Sequence, residues 1–148
     1  GKANQLSQML RQNLPAAMQG LAVVPLFAGY DTRREVGRLF QYDVTGGRYE
    51  ERLYSATGSG SLHATTVMKL GYHDGQSRAE AVALAANALF EAADEDAATG
   101  GPDLIRRIFP IIATITAEGY QRLDDAEVAA LFDVVIEDRR RLSVDDTV

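Results

Sequence analysis

A chain of 148 residues, 46% hydrophobic and 24% charged, carries enough apolar material for one domain with a real core. Its formal net charge of −6 argues against a general affinity for nucleic acid or an anionic membrane, and the lack of cysteine excludes disulfides and thiolate metal sites. No apolar run approaches the roughly 20 residues of a membrane-spanning helix, and the N-terminal GKANQLSQMLRQN lacks a secretory apolar block; the expectation is a soluble, cytoplasmic protein.

Leu6, Met9, Leu10, Leu14 and Met18 recur at helical steps, which predicts a helix over 2–18 that stops near Gly20, with Pro15 kinking its interior. A chain that opens in mid-helix reads as a piece of something longer. Leu21–Tyr30 is a nearly continuous apolar run, consistent with a buried strand, with Pro25 marking a bulge or an edge. Gly37–Val44 alternates, with Leu39 on one face and Phe40, Tyr42 and Val44 on the other. Thr45-Gly46-Gly47 then turns the chain into a returning strand over Arg48–Ala56. Leu62–Leu70 predicts a short helix. Ser77 with Glu80 forms a capping box ahead of the clearest helix, whose apolar face is Val82, Ala86, Leu89, Phe90 and Ala93. Ile108–Thr116 and Tyr120–Leu123 read as a hairpin across Ala117-Glu118-Gly119. Asp124 or Asp125 caps a closing helix in which Val128, Leu131, Val134 and Val135 recur and whose end carries Arg139-Arg140-Arg141, a solvated, dipole-matched terminus. Hairpins with blocks of helix between them give an α+β class.

Three features invite chemistry. Thr57-Gly58-Ser59-Gly60-Ser61 stands before a helix, where backbone amides attract anions, but it lacks the lysine of a phosphate loop and has His63 where a dinucleotide fingerprint needs glycine. It also lacks the spacing of a nucleophile elbow, since both glycines touch Ser59 directly. His63 and His73 are the only histidines, and without a supporting carboxylate cluster they make a poor metal site; no metal or cofactor is expected. Asp94-Glu95-Asp96 is in part a solvated helix end. Asp96 differs, because it leads into Thr99-Gly100-Gly101, a tight loop that can bring a carboxylate and a hydroxyl to one point.

Taken together, YSATGSGSLHATTVMKL (Tyr54–Leu70), ALFEAADEDAATGGPDLIRRIFP (Ala88–Pro110) and NLPAAMQGLAVVPLFAGYD (Asn13–Asp31) resemble the β subunit of the proteasome core particle, actinobacterial type, along essentially the whole chain. The resemblance implies an N-terminal-nucleophile hydrolase fold, a four-layer α-β-β-α sandwich with two antiparallel sheets. It implies a threonine-type endopeptidase that cleaves peptide substrates inside a chamber of stacked heptameric β rings flanked by proteasome α subunits and fed, by analogy, by a ring ATPase. In that family an N-terminal threonine is the nucleophile and its own amine, or a water beside it, is the base. Ser59, Asp96 and Thr99 match the residues that support that threonine, with Thr99 standing where serine is common.

The family's threonine, early aspartate and lysine, and most of its specificity pocket, precede the region that Gly1–Gly20 resembles. The expectation is therefore that residues 1–148 form one domain that is the C-terminal two-thirds of a β subunit, inactive by itself, with apolar faces such as Leu21–Leu26 and Ile111–Ile115 left for the remainder to cover. The alternatives are a non-catalytic structural ring subunit and an unrelated module that binds an anion at TGSGS.

Overall fold

A computed structural model describes residues 1–145, so the last three residues of the 1–148 span lie outside the described residues. Its secondary structure is α+β, with two antiparallel sheets. The chain groups into two compact units, Gly1–Gly58 with Ile115–Gly119, and Ser59–Thr114 with the chain from Tyr120 onward.

In the first unit the single helix predicted over 2–18 is two: α1 (Lys2–Gln12) and α2 (Leu14–Ala17), parted at Asn13. A proline inside a continuous helix would remove one hydrogen bond and press its ring on the carbonyl four residues back. Restarting at Leu14 puts Pro15 in a first turn, where its missing N–H costs nothing. Gly20, at φ +90°, then ends the helical region.

The apolar run that follows is a strand only in its second half, β1 (Leu26–Asp31). Leu21–Pro25 has no regular structure, and Leu21 and Val23 are 69% and 65% exposed. Pro25 has no N–H to give a ladder; its carbonyl accepts from the Tyr42 amide (3.3 Å), and regular pairing begins with the next residue. β1 pairs antiparallel with β2 (Val36–Tyr42), which pairs antiparallel with β3 (Arg48–Glu51) in the order β1-β2-β3.

The expected Thr45-Gly46-Gly47 turn joins β2 to β3. The Asp43 carboxylate holds it, accepting from the Thr45 amide (2.9 Å), the Thr45 hydroxyl (2.7 Å), the Gly47 amide (2.8 Å) and the Tyr49 hydroxyl (2.9 Å). Those donors, the Thr45 hydroxyl foremost, lower the Asp43 pKa to about 2. α1 lies against this turn: Ser7 donates its hydroxyl to the Gly46 carbonyl, and a Cβ on Gly46 would stand 2.5 Å from Arg11 Cγ. Phe40 and Tyr42 are buried on one face of β2, as the alternation predicts; Val44 falls in the turn and is exposed.

The second unit holds α3 (Ser61–Gly71), α4 (Arg78–Glu95) and α5 (Asp125–Asp145). The short strands β4 (Ala113–Thr116) and β5 (Gly119–Arg122) form the second sheet, with β4 starting later than predicted because Pro110 precedes it. The capping box is present: the Glu80 amide donates to Ser77 Oγ (3.2 Å), and the Ser77 amide to Glu80 Oε2 (2.7 Å).

α4 buries two stripes rather than one. Val82, Ala86 and Phe90 join the core of Ile112, Leu123, Val128 and Phe132. Leu84, Ala88 and Ala92 face the other way: Leu84 Cδ1 would be 2.5 Å from a Cβ on Gly71, and Ala92 Cβ 3.0 Å from one on Gly60, at the two ends of α3. Leu89, predicted to be core, is 41% exposed.

Among the described residues of α5, Val128, Phe132 and Val135 are buried, while Val134 is 57% exposed. Asp124 rather than Asp125 caps it, accepting from the Glu127 amide (2.8 Å) while its own amide donates to Glu127 Oε2 (3.0 Å). The helix runs past the arginines, so they do not mark its end. Arg139 pairs with Glu91 of α4 and Arg141 with Glu137 one turn back (3.6 Å).

Candidate active site

The site forms where the loop before α3 meets the loop after α4, both inside the second unit from Ser59 on. Gly58, at φ +106°, supplies a backbone conformation that L-side chains rarely adopt and so turns the chain into the helix. Ser59 follows, exposed, and Gly60 is buried at the N-cap of α3 with its carbonyl accepting from the Ala64 amide (3.2 Å). Across from it, Asp96 is the C-cap of α4. Its extended backbone (φ −119°, ψ 110°) leaves the helix, and a tight turn brings the Thr99 amide onto the Asp96 carbonyl (2.9 Å).

Two hydroxyls converge on one carboxylate oxygen. Ser59 Oγ and Thr99 Oγ1 (2.5 Å) both donate to Asp96 Oδ2, while Asp96 Oδ1 accepts from the Ala98 amide at 3.4 Å. The Ser59 hydroxyl first and the Thr99 hydroxyl second hold the Asp96 carboxyl below the ordinary carboxylate range, with smaller contributions from the Ala98 amide and from charge on His63. Asp96 is therefore ionised at neutral pH. Asp96 and Thr99 are half-buried and Ser59 is exposed, so the cluster stands within reach of a group arriving from outside.

This arrangement decides among the local alternatives. A fixed negative charge facing the Ser59 hydroxyl repels a phosphate, which disfavours anion binding by the TGSGS loop. A carboxylate with a lowered pKa is a weak base toward a serine hydroxyl, so Asp96 does not prepare Ser59 for attack. Neither histidine is hydrogen-bonded to Ser59: His73 Nδ1 lies 3.2 Å from the Asp74 carbonyl, in the loop after α3. Among the described residues, no three His, Asp or Glu side chains gather as a metal site, and no helix is long and apolar enough to cross a membrane. The cluster is suited to orienting and charging a further polar group, not to bond-making by itself.

The structure brings together all three residues singled out from the sequence, Ser59, Asp96 and Thr99. Sequence reasoning set His63 aside, and on the first turn of α3 it is only the smallest of the influences that lower the Asp96 pKa. One site residue was missed. Gly60 reads from the sequence as a turn residue, yet its ordinary φ of −82° requires no glycine. Just past Thr99, Gly100 and Gly101 line an apolar cleft of about 230 Å³ with Leu89, Phe109, Pro110 and Phe132.

The family model described as Proteasome subunit matches residues 2–105. A proteasome subunit beta from Acidimicrobium ferrooxidans is 58% identical over 142 residues, covering 94% of this chain and 52% of that protein. Another, from Streptomyces griseus, is 57% identical over 146 residues, covering 99% of this chain and 51% of that protein. The chain thus spans about half the length of the curated relatives it matches. Family model and relatives agree that the chain belongs to the proteasome subunit family and is similar to its actinobacterial β members.

Proposed function

We propose that residues 1–148 are the C-terminal portion of a proteasome β subunit, and that Ser59, Asp96 and Thr99 support an N-terminal threonine carried by chain outside these residues. The observation that carries the proposal is the pair of hydroxyls fastened to Asp96 Oδ2. They fix the carboxylate in place and keep it charged, while Oδ1, engaged only by a long bond from the Ala98 amide among the contacts described, retains lone pairs for a further donor. An N-terminal ammonium is such a donor. Beside an ionised carboxylate its protonated form is stabilised, which suits a group that must take a proton during attack.

The chemistry then runs in two balanced steps. The threonine hydroxyl attacks the scissile carbonyl carbon as its proton passes to the free amine, and the amine returns that proton to the leaving nitrogen, giving an acyl-threonine and a released peptide amine. Water attacks the acyl carbon, with the amine again carrying the proton, and frees the carboxylic acid and the threonine hydroxyl. Ser59, Asp96 and Thr99 orient the amine throughout and form no bond to substrate. By themselves, residues 1–148 do not hydrolyse peptides.

The same reading places the full-length subunit in a heptameric β ring against proteasome α subunits, in the cytoplasm, served by a ring ATPase, with peptides as substrates and without metal or cofactor. The apolar stretches Leu21–Val24 and Ile111, exposed here, fit burial against the rest of the subunit. The test is labelling of the full-length subunit with a threonine-directed electrophile and mapping of the adduct. An adduct on an N-terminal threonine, slowed by Asp96→Asn, supports the proposal. An assembled particle that takes no adduct and cleaves nothing is the structural ring subunit instead.

A further inference from the structure

The two glycines that flank Ser59 are there for different reasons. Gly58 has open space around its missing Cβ and needs glycine for its φ of +106°. Gly60 has a backbone any residue can adopt (φ −82°, ψ 6°) and needs glycine for space. A Cβ at Gly60 would stand 2.8 Å from Thr99 Oγ1, 3.0 Å from Ala92 Cβ and 3.2 Å from the Ala92 carbonyl oxygen. Favourable contacts between such atoms lie at about 3.5–4.0 Å. Ala92 is buried inside α4 and backbone-bound, so it cannot move aside; the Thr99 side chain, in a loop, is what gives way.

We propose that Gly60 is a positioning residue, whose absent Cβ is the clearance that lets the Thr99 hydroxyl share Asp96 Oδ2 with Ser59. The inference rests on the functional reading above for its effect on catalysis, but not for its effect on Asp96. Thr99 is stiff about χ1 because it is β-branched, so a carbon pressed against Oγ1 swings the hydroxyl off the carboxylate rather than shifting it slightly. Ser59 reaches the same oxygen from its own side of the loop and keeps its bond.

The test uses the full-length subunit with Gly60→Ala, Thr99→Val and the double variant Gly60→Ala/Thr99→Ser. Asp96 is titrated through its side-chain carboxyl carbon by NMR, and peptide hydrolysis is measured alongside. Gly60→Ala should move the Asp96 titration upward, toward its ordinary value, to the same extent as Thr99→Val, which removes the hydroxyl without a clash. It should also lower kcat by about tenfold or more while KM stays within about twofold, because the contact serves the reacting group rather than substrate binding. Gly60→Ala/Thr99→Ser, with χ1 freed, should bring both back toward the parent.

An Asp96 titration unmoved in Gly60→Ala overturns the inference. An upward titration with unchanged kcat upholds it and overturns the catalytic reading instead. If Gly60→Ala fails to fold, a folded double variant with a parental Asp96 titration upholds the inference. Failure of both variants to fold overturns it, because the clearance would then serve only the packing of α3 on Ala92.

Discussion

Phe132→Ala tests how the core supports the site. Phe132 is fully buried, packs in the cluster of Ala86, Ile112, Leu123 and Val128, and stacks on Phe109 at 6.5 Å between ring centroids. Truncating a buried phenylalanine typically costs about 3–5 kcal/mol, from lost transfer energy plus the cavity left behind. Here the vacated space joins the cleft of about 230 Å³ that Phe132 and Phe109 already line, so surrounding groups and water can fill part of it. That puts the cost near the lower end, about 3 kcal/mol. The control is Val134→Ala two residues on, 57% exposed, which should change stability by no more than about 0.5 kcal/mol. Urea unfolding of the full-length subunit, followed by far-UV circular dichroism at one protein concentration, compares the two as midpoint shifts at constant slope. Equal losses from the two variants, or a loss below about 1 kcal/mol for Phe132→Ala, would refute the placement of the core.

Ser77→Ala removes the acceptor of the Glu80 amide at the start of α4 and should cost about 1 kcal/mol, with faster amide exchange confined to the first turn; unchanged exchange there would show that the cap is idle. Asp43 carries a pH dependence whose sign is fixed by its depressed folded pKa. Its contribution is fully present above the ordinary value of 3.8 and is lost as pH falls toward about 2, so Asp43→Asn should flatten the decline in stability across that window. An identical acid slope in parent and variant would count against the turn assignment.

The pairing of Ser59 with the Asp96–Thr99 loop was legible only through the resemblance to the proteasome β family; alone, a Gly-flanked serine before a helix and a carboxylate leading into small residues each left their role open. The Ser77 cap and the turn over 45–47 were legible from the residues themselves, because their chemistry lies within four residues. What failed was inference about burial. Leu89 and Val134 sit on helical periods that point inward, but α4 divides its buried surface between a core stripe and the alanine stripe that meets α3. α5 centres on Phe132, a position the heptad-like spacing passed over. Leu21–Val24 reads as strand because its letters are apolar, whereas Pro25 postpones pairing until Leu26. Gly60 was beyond reach altogether, since its neighbours, Thr99 and Ala92, are distant in sequence and only the fold sets them against it.

The central claim is that a site built from Ser59, Asp96 and Thr99 serves a nucleophile carried elsewhere in the same subunit. Peptide mapping of the full-length subunit after reaction with a threonine-directed electrophile measures this most directly. The account predicts a single adduct on an N-terminal threonine outside residues 1–148, forming roughly a hundredfold more slowly or less in Asp96→Asn, as for loss of acid–base assistance. An adduct on Ser59 or Thr99, or peptide hydrolysis that survives Asp96→Asn undiminished, would contradict it.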